Sequence, residues 1–316
     1  MNPPITIWII VNIFVLAMLI LDLLVFHRHA HEVSMKEAAG WSVFWIALSG
    51  VFNLGIYFFM GPQAGLEFLT GYLIEKALSV DNLFVFVLIF SYFNVPRKYQ
   101  HRVLFWGILG AMIMRGVMIA LGTALITQFH WIIYLFGAFL VFTGIRMLWQ
   151  DDEQIEPERN PVLRLFRRIV PVTNTYHAQK FLVKKDDAAG RTHLMATPLL
   201  VVLVLIETTD LIFAVDSIPA VFAITLNPFI VYTSNIFAIL GLRALYFLLA
   251  GVVHKFHYLK MGLSAVLVFV GGKMLLMDIY HISTPLSLVV VAVLIGGSVG
   301  ASLAFPKPDT LEKTQT

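Results

Sequence analysis

The sequence predicts an all-α, polytopic membrane protein of about nine transmembrane helices, and three observations predict it. The 316 residues are 59% hydrophobic and only 13% charged, where soluble globular domains carry roughly 25% charged residues. Apolar runs of about 20 residues, enough to cross the hydrocarbon layer as helix, recur along the chain. The third observation is charge placement. Of the 22 lysines and arginines, all but Lys76, Arg115, Arg146, Arg243 and Lys273 fall in every second loop, at its edge, or in the C-terminal tail.

Taken in order, the spans are 5–26, 38–60, 67–93, 103–126, 131–149, 197–224, 229–253, 259–280 and 285–305. The first lacks a basic leading segment and a small-residue cleavage site, so it reads as a retained helix. Ser34 and Glu37 form a capping-box pattern ahead of the second. Gly61-Pro62, Asn94-Val95-Pro96 and Asn227-Pro228 mark turns. The basic loops follow the odd-numbered spans, which puts the N-terminus outside and the C-terminus inside. One transmembrane domain, 1–305, is therefore expected, with a cytoplasmic tail at 306–316. The long loop, 150–196, opens with Asp151, Asp152 and Glu153 and continues with Arg164, Arg167, Arg168, Lys184 and Lys185. It reads as a solvated connector near anionic headgroups, with a regulatory role the lesser option. Its segment KFLVKKDDAAGRTHLMA suits a small hairpin. The absence of cysteine excludes disulfides and thiolate metal sites.

The chain also repeats internally. LVFTGIRML at 140–148 and LVFVGGKML at 267–275 agree at six of nine positions, at an offset of 127. Arg115 aligns with Arg243 at an offset of 128, and EKALSVDN at 75–82 with DLIFAVDS at 210–217 at 135. This predicts a duplicated three-helix unit, spans 3–5 and 6–8. Three is odd, so the second copy enters the bilayer from the opposite side. Such inverted repeats place substrate sites near the midplane between them.

Intramembrane ionisable groups are candidate functional residues. The alignment pairs Glu75 with Asp210 and Asp81 with Asp216, each second acid being followed by an amide or hydroxyl, Asn82 or Ser217. Glu207 lies one turn before Asp210 on the same face. Six residues rise about 9 Å and turn roughly 600°, leaving the two acids of one helix about 120° apart. Either the helix unwinds, or two helices pool their ligands. Pro219 favours unwinding in the second copy by displacing the Val215 carbonyl, which becomes a candidate ligand. Asn235 could supply an amide oxygen or bond between helices. Lys76, Arg115 and Arg243 are candidate counter-ions when the site is empty. Arg146 is expected to snorkel, and Lys273, Asp278 and Asp22 to pair near span ends. Carboxylate, amide, hydroxyl and carbonyl oxygens suit Mg²⁺, Ca²⁺ and Mn²⁺. The ten histidines all lie in loops or at span ends, which removes the usual ligands of zinc and copper.

GYLIEKALSVDNLFVF, FAVDSIPAVFA and SNIFAILGLRALYFLLAG resemble the TerC family, in its Alx-like branch, and the resemblance covers spans one to eight and the central loop. It implies a bacterial inner-membrane protein of the wider LysE-like transporter group, linked to manganese export, tellurite resistance, and alkaline or metal stress. It also implies that Glu75, Asp81, Glu207, Asp210 and Asp216 are the metal-path acids and that Mn²⁺ is the transported ion. No permanently bound cofactor is expected. The expected partners are the transported cation, protons as counter-ion through the same acids, and the lipid bilayer, with no nucleic acid. Three other readings stand beside export: helix–helix ion pairing without transport, a membrane scaffold docking through the 150–196 loop, and export of another cationic solute such as an amino acid. An enzyme is not expected. The Tyr-Asp and Gly-x-Gly-Asp pair of intramembrane aspartyl proteases is missing, as are Gly-x-Ser-x-Gly and His-Glu-x-x-His.

Overall fold

The structure is a computed structural model that describes residues 3–26, 34–149, 161–173, 175–186, 192–250, 258–280 and 282–305. The side chain of Asp22, the acids 151–153 and the tail 306–316 lie outside the described residues. The elements are α1 (Ile5–Phe26), α2 (Met35–Met60), α3 (Pro62–Tyr92), α4 (Arg97–Gln128), α5 (Ile132–Trp149), α6 (Pro161–Ile169), β1 (Leu182–Asp186), β2 (Thr192–Ala196), α7 (Pro198–Phe222), α8 (Pro228–Leu240), α9 (Leu242–Leu249), α10 (Leu259–Leu275) and α11 (Thr284–Ala304). The local signals set these boundaries. Ser34 caps α2, its hydroxyl accepting from the Glu37 N–H at 3.3 Å. Gly61 turns the chain at φ 98°, a left-handed conformation that glycine takes at no steric cost, and Pro62 opens α3. The Asn227 side chain accepts from the Phe229 N–H at 3.1 Å and starts α8.

Among the described residues, α2, α4, α5, α7 and α11 are long and apolar enough to cross a membrane, and α8 with α9 make a sixth if the bent pair is one span. Helix α3 has 31 residues, but Glu75, Lys76 and Asp81 interrupt its apolar run. Helix α10 has 17 residues, and α1 offers the shorter apolar stretch Ile5–Leu21. Phe58, Phe59, Val43 and Ile113 point outward, Phe59 at 93% exposure. Such a surface is tenable against lipid and not against water.

The packing has a reciprocal pattern. Helices α3 and α7 pack antiparallel, Gly71 lying against Val221 and Asn82 against Asp210, while α3 packs on α8, α4 on α7, and α5 on α10. Along α5 and α10 glycines let the backbones close up. A Cβ on Gly271 would lie 2.9 Å from Leu140 Cβ, and a Cβ on Gly144 3.1 Å from Leu267 Cβ. Gly137 likewise abuts the Gly271 carbonyl, while Ser264 donates its hydroxyl to the Gly144 carbonyl. Each contact is the mirror of another 127 positions away, and it falls within the repeated segments.

At the end where α3 stops and α4 begins, the long loop folds into a cap. Strands β1 and β2 pair antiparallel, Leu182 opposite Ala196, as KFLVKKDDAAGRTHLMA predicts. The cap docks where the Tyr176 hydroxyl donates to the Phe93 carbonyl at 2.6 Å and Arg102 stacks over the Phe181 ring at 5.2 Å. The amphipathic helix α6 tucks Leu163 beneath it. The described part of the loop, 161–173, 175–186 and 192–196, thus folds against the end of the bundle.

Two expectations about backbone are corrected. Helix α7 runs unbroken through Pro219 to Phe222. Proline there lies within the last turn and removes only one helical bond, so the segment does not unwind. Span 229–253 does not run as one helix. It breaks at Gly241 and bends by 42°. A Cβ at Gly241 would meet Lys76 Nζ and Trp45 Cβ, each at 3.0 Å, so the close approach needs glycine.

Candidate functional site

Four helices converge on one guanidinium. Arg115 of α4 is fully buried, as are Glu75 of α3 and Asn235 of α8, and Asp210 of α7 is nearly so. Arg115 Nε and Nη2 donate to Asp210 Oδ2 and Oδ1 at 3.2 and 3.0 Å, the bidentate fork that only arginine offers. Arg115 Nη1 donates to Glu75 Oε1 and, at 2.8 Å, to Asn235 Oδ1. The Asn235 amide then donates to Glu75 Oε2 at 3.0 Å, and the Asn82 amide to Asp210 Oδ1 at 3.4 Å. Every carboxylate oxygen of this pair therefore has a donor. Leaving one such oxygen bare in an apolar interior costs about 1–3 kcal/mol or more.

The structure brings Glu75, Asp210, Asn82, Asn235 and Arg115 together, and the two carboxylates are the aligned acids of the two repeated segments. The helices pool their side chains, the alternative to unwinding. The other acids stand apart from Arg115. Asp216 is half-buried and accepts from Thr143 Oγ1 of α5 at 3.3 Å. Asp81, next to Asn82, is half-buried on α3. Glu207 lies against the backbone of Gly110 on α4, its Oε2 buried with no hydrogen-bond partner among the described residues. Ser217 Oγ is buried and likewise without a partner, while Val215 points outward. Among the described residues no three His, Asp or Glu side chains are gathered to hold a metal ion.

The other cations take different places. Lys76 donates to the Ala238 carbonyl at 3.0 Å. In an unbroken helix that carbonyl would accept from the Leu242 N–H, so Lys76 caps the open end of α8. Arg243, just past the break, is buried and lines a cavity of about 20 Å³ with Leu83, Leu104, Gly107, Asp210 and Leu242. That volume has room for about one water. At the end opposite the cap, Lys273 donates to Ser287 Oγ at 3.0 Å, and Asp278 accepts from the Tyr134 hydroxyl. Both pair near span ends, as expected, with partners from α11 and α5.

Sequence reasoning missed Thr143, Gly110 and Gly241. Thr143 had a signal, since it is the polar residue of LVFTGIRML where the second copy has Val270. Outside the spans, burial pushes the Tyr176 hydroxyl above the ordinary tyrosine value.

The chain matches the TerC family of integral membrane proteins over residues 60–309. It is 54% identical over 290 residues to an uncharacterised membrane protein of Myxococcus xanthus, covering 92% of this chain and 89% of that one. It is 50% identical over 289 residues to Alx of Escherichia coli K12, named as a candidate membrane-bound redox modulator, with 88% of each chain covered. A Rickettsia felis membrane protein is 41% identical over 296 residues, covering 94% of this chain and 97% of that one. No solved structure matches. A family match across most of the chain, joined to buried charges among helices that can cross a membrane, makes this protein a member of the TerC family of integral membrane proteins.

Proposed function

We propose that the chain is a bacterial inner-membrane secondary transporter that exports a divalent metal cation, foremost Mn²⁺, by alternating access between two inverted three-helix repeats. The observation that carries this reading is the Glu75–Asp210 pair. Two carboxylates from two helices are buried together in an apolar bundle and share a single guanidinium. The oxygens around that guanidinium, from carboxylates and an amide, are the donors a hard divalent cation takes. Asp81, Glu207 and Asp216 extend the acidic path along α3 and α7, with Ser217 beside it. The antiparallel α3–α7 packing and the mirrored α5–α10 contacts support the inverted repeat. The cap lies at the same end as the basic α3–α4 turn, in keeping with an alternation of basic loops; nine spans with the N-terminus outside rest on that charge pattern. Manganese itself rests on the family resemblance.

The test is metal accumulation in cells lacking and overproducing the protein, measured across Mn, Ca, Mg, Fe and Zn. Loss of the protein should raise cellular Mn, and overproduction should lower it. Labelled Mn²⁺ should enter inside-out vesicles, and Asp216→Asn should abolish that uptake. Uptake unaffected by Asp216→Asn would overturn the acidic-path reading.

The name of the Escherichia coli relative suggests a second reading, redox modulation. This chain has no cysteine, so thiol–disulfide exchange is closed to it. A redox effect fits better as a consequence of altered metal levels. If replacing 150–196 abolished a stress phenotype that charge-neutral changes at Glu75 and Asp216 left intact, a scaffold would be the better account.

A further inference from the structure

Arg115 of α4 holds the carboxylate pair, and Arg243 of α9 lines a cavity whose wall includes one member of it, Asp210. Exchanging the repeated segments carries Glu75 onto Asp210 and Asp210 onto Glu75, so the acid pair maps onto itself. The same exchange carries Arg115 onto Arg243. The two arginines are therefore equivalent claimants to the same two carboxylates, and in this structure Arg115 holds them. Arg243 borders the small cavity whose wall includes Asp210, on the side toward the cap. The helices that carry the two arginines differ in the same sense. Helix α4 is continuous through Arg115, whereas its counterpart is broken at Gly241, two residues before Arg243, and held open by Lys76 on the Ala238 carbonyl.

We propose that Arg243 is the alternate partner of Glu75 and Asp210, and that the protein changes its open side by handing this pair from Arg115 to Arg243. Arg243 is thus a positioning residue. This rests on the transporter reading above and adds to it the element that switches. Two inverted copies of one unit, in unlike conformations, give the opposite-facing state when the conformations are exchanged. In that state Arg243 forks Glu75 and Asp210, the α8–α9 break closes as Lys76 leaves the Ala238 carbonyl, and Arg115 retires toward the end away from the cap. The bound cation enters between these states, when neither guanidinium fills the space between the carboxylates. Buried, desolvated carboxylates hold their partners strongly. A second resident guanidinium keeps the pair compensated in both end states.

The test uses the full chain, which has no cysteine, so single reporters are free of background. Leu104→Cys lines the cavity on the cap side of the acids, and Ile119→Cys lies one turn beyond Arg115 on α4, in the buried cluster that also holds Ile74 and Ile218. Each is introduced with Arg115→Gln or Arg243→Gln, and its labelling rate by a membrane-impermeant thiol reagent is measured. Arg115→Gln should raise labelling at position 119 severalfold and lower it at 104. Arg243→Gln should do the reverse or leave the present pattern locked, and both should stop Mn²⁺ uptake. The same direction of change in both variants, or normal uptake by Arg243→Gln, would overturn the exchange. If Arg115→Gln does not accumulate, Arg115→Lys and Arg243→Lys give the same comparison with charge kept, and equal labelling in that pair overturns it too. Opposite labelling shifts with no metal moved by the unsubstituted protein would keep the exchange and remove the metal as cargo.

Discussion

At the scale of single residues, the site turns on hydrogen-bond satisfaction. Asn235 both accepts from Arg115 and donates to Glu75, so it bridges the guanidinium and the carboxylate. Asn235→Ala leaves Glu75 Oε2 without its donor and is expected to cost about 1–3 kcal/mol of stability. Asn235→Asp should cost more, since it adds a third buried acid beside one arginine. Thermal unfolding in detergent reads both, and a variant as stable as the parent would show that water replaces the amide. The Glu75–Asp210 pairing was legible in the sequence, because the aligned segments put an acid at both positions. The partner of Lys76 was not. A carbonyl becomes an acceptor there only because α8 breaks, and no side-chain pattern records a freed carbonyl.

At the scale of elements, caps and turns were the most legible features. Ser34, Gly61-Pro62 and Asn227-Pro228 act within a few residues, and local chemistry decides them. The break at Gly241 was hidden because a lone glycine in an apolar run is compatible with a continuous helix. It is the approach of Lys76 and Trp45, from elsewhere in the chain, that makes the difference. The cap yields a prediction of its own. Tyr176 donates to the Phe93 carbonyl only as the neutral phenol, and burial raises its pKa. The unfolded chain loses that proton near the ordinary tyrosine value of about 10. Above it, the unfolded state binds fewer protons than the folded one, so stability falls as pH rises through the folded value. Cap docking should therefore weaken in strongly alkaline medium. Tyr176→Phe should remove that dependence while weakening docking at neutral pH. Unfolding measured from about pH 9 to 12 decides it, and identical profiles would assign the alkaline loss to other groups.

At the scale of the whole molecule, composition and charge placement announce a membrane protein. The number of crossings is less plain, because α3 is charged at its centre and α8–α9 is bent. Both departures sit at the acid pair, where sequence rules are broken in favour of a buried polar site. The orientation can be read directly. A cysteine at Ala178, in the cap, should resist an impermeant thiol reagent in intact cells, and one at His130, at the opposite end, should react. The reverse result would place the N-terminus and the cap on the opposite sides of the bilayer from those the charge pattern predicts.

The open end of α8 bears on the barrier between conformers. At Gly241 the ladder of backbone bonds is already interrupted, and Lys76 supplies what the Ala238 carbonyl lacks. Closing that gap recovers a helical bond as an ammonium contact is given up, while opening α4 would do the opposite. On the proposed exchange, loss on one side would be offset by gain on the other, which would bring the two unlike shapes of this chain close in energy.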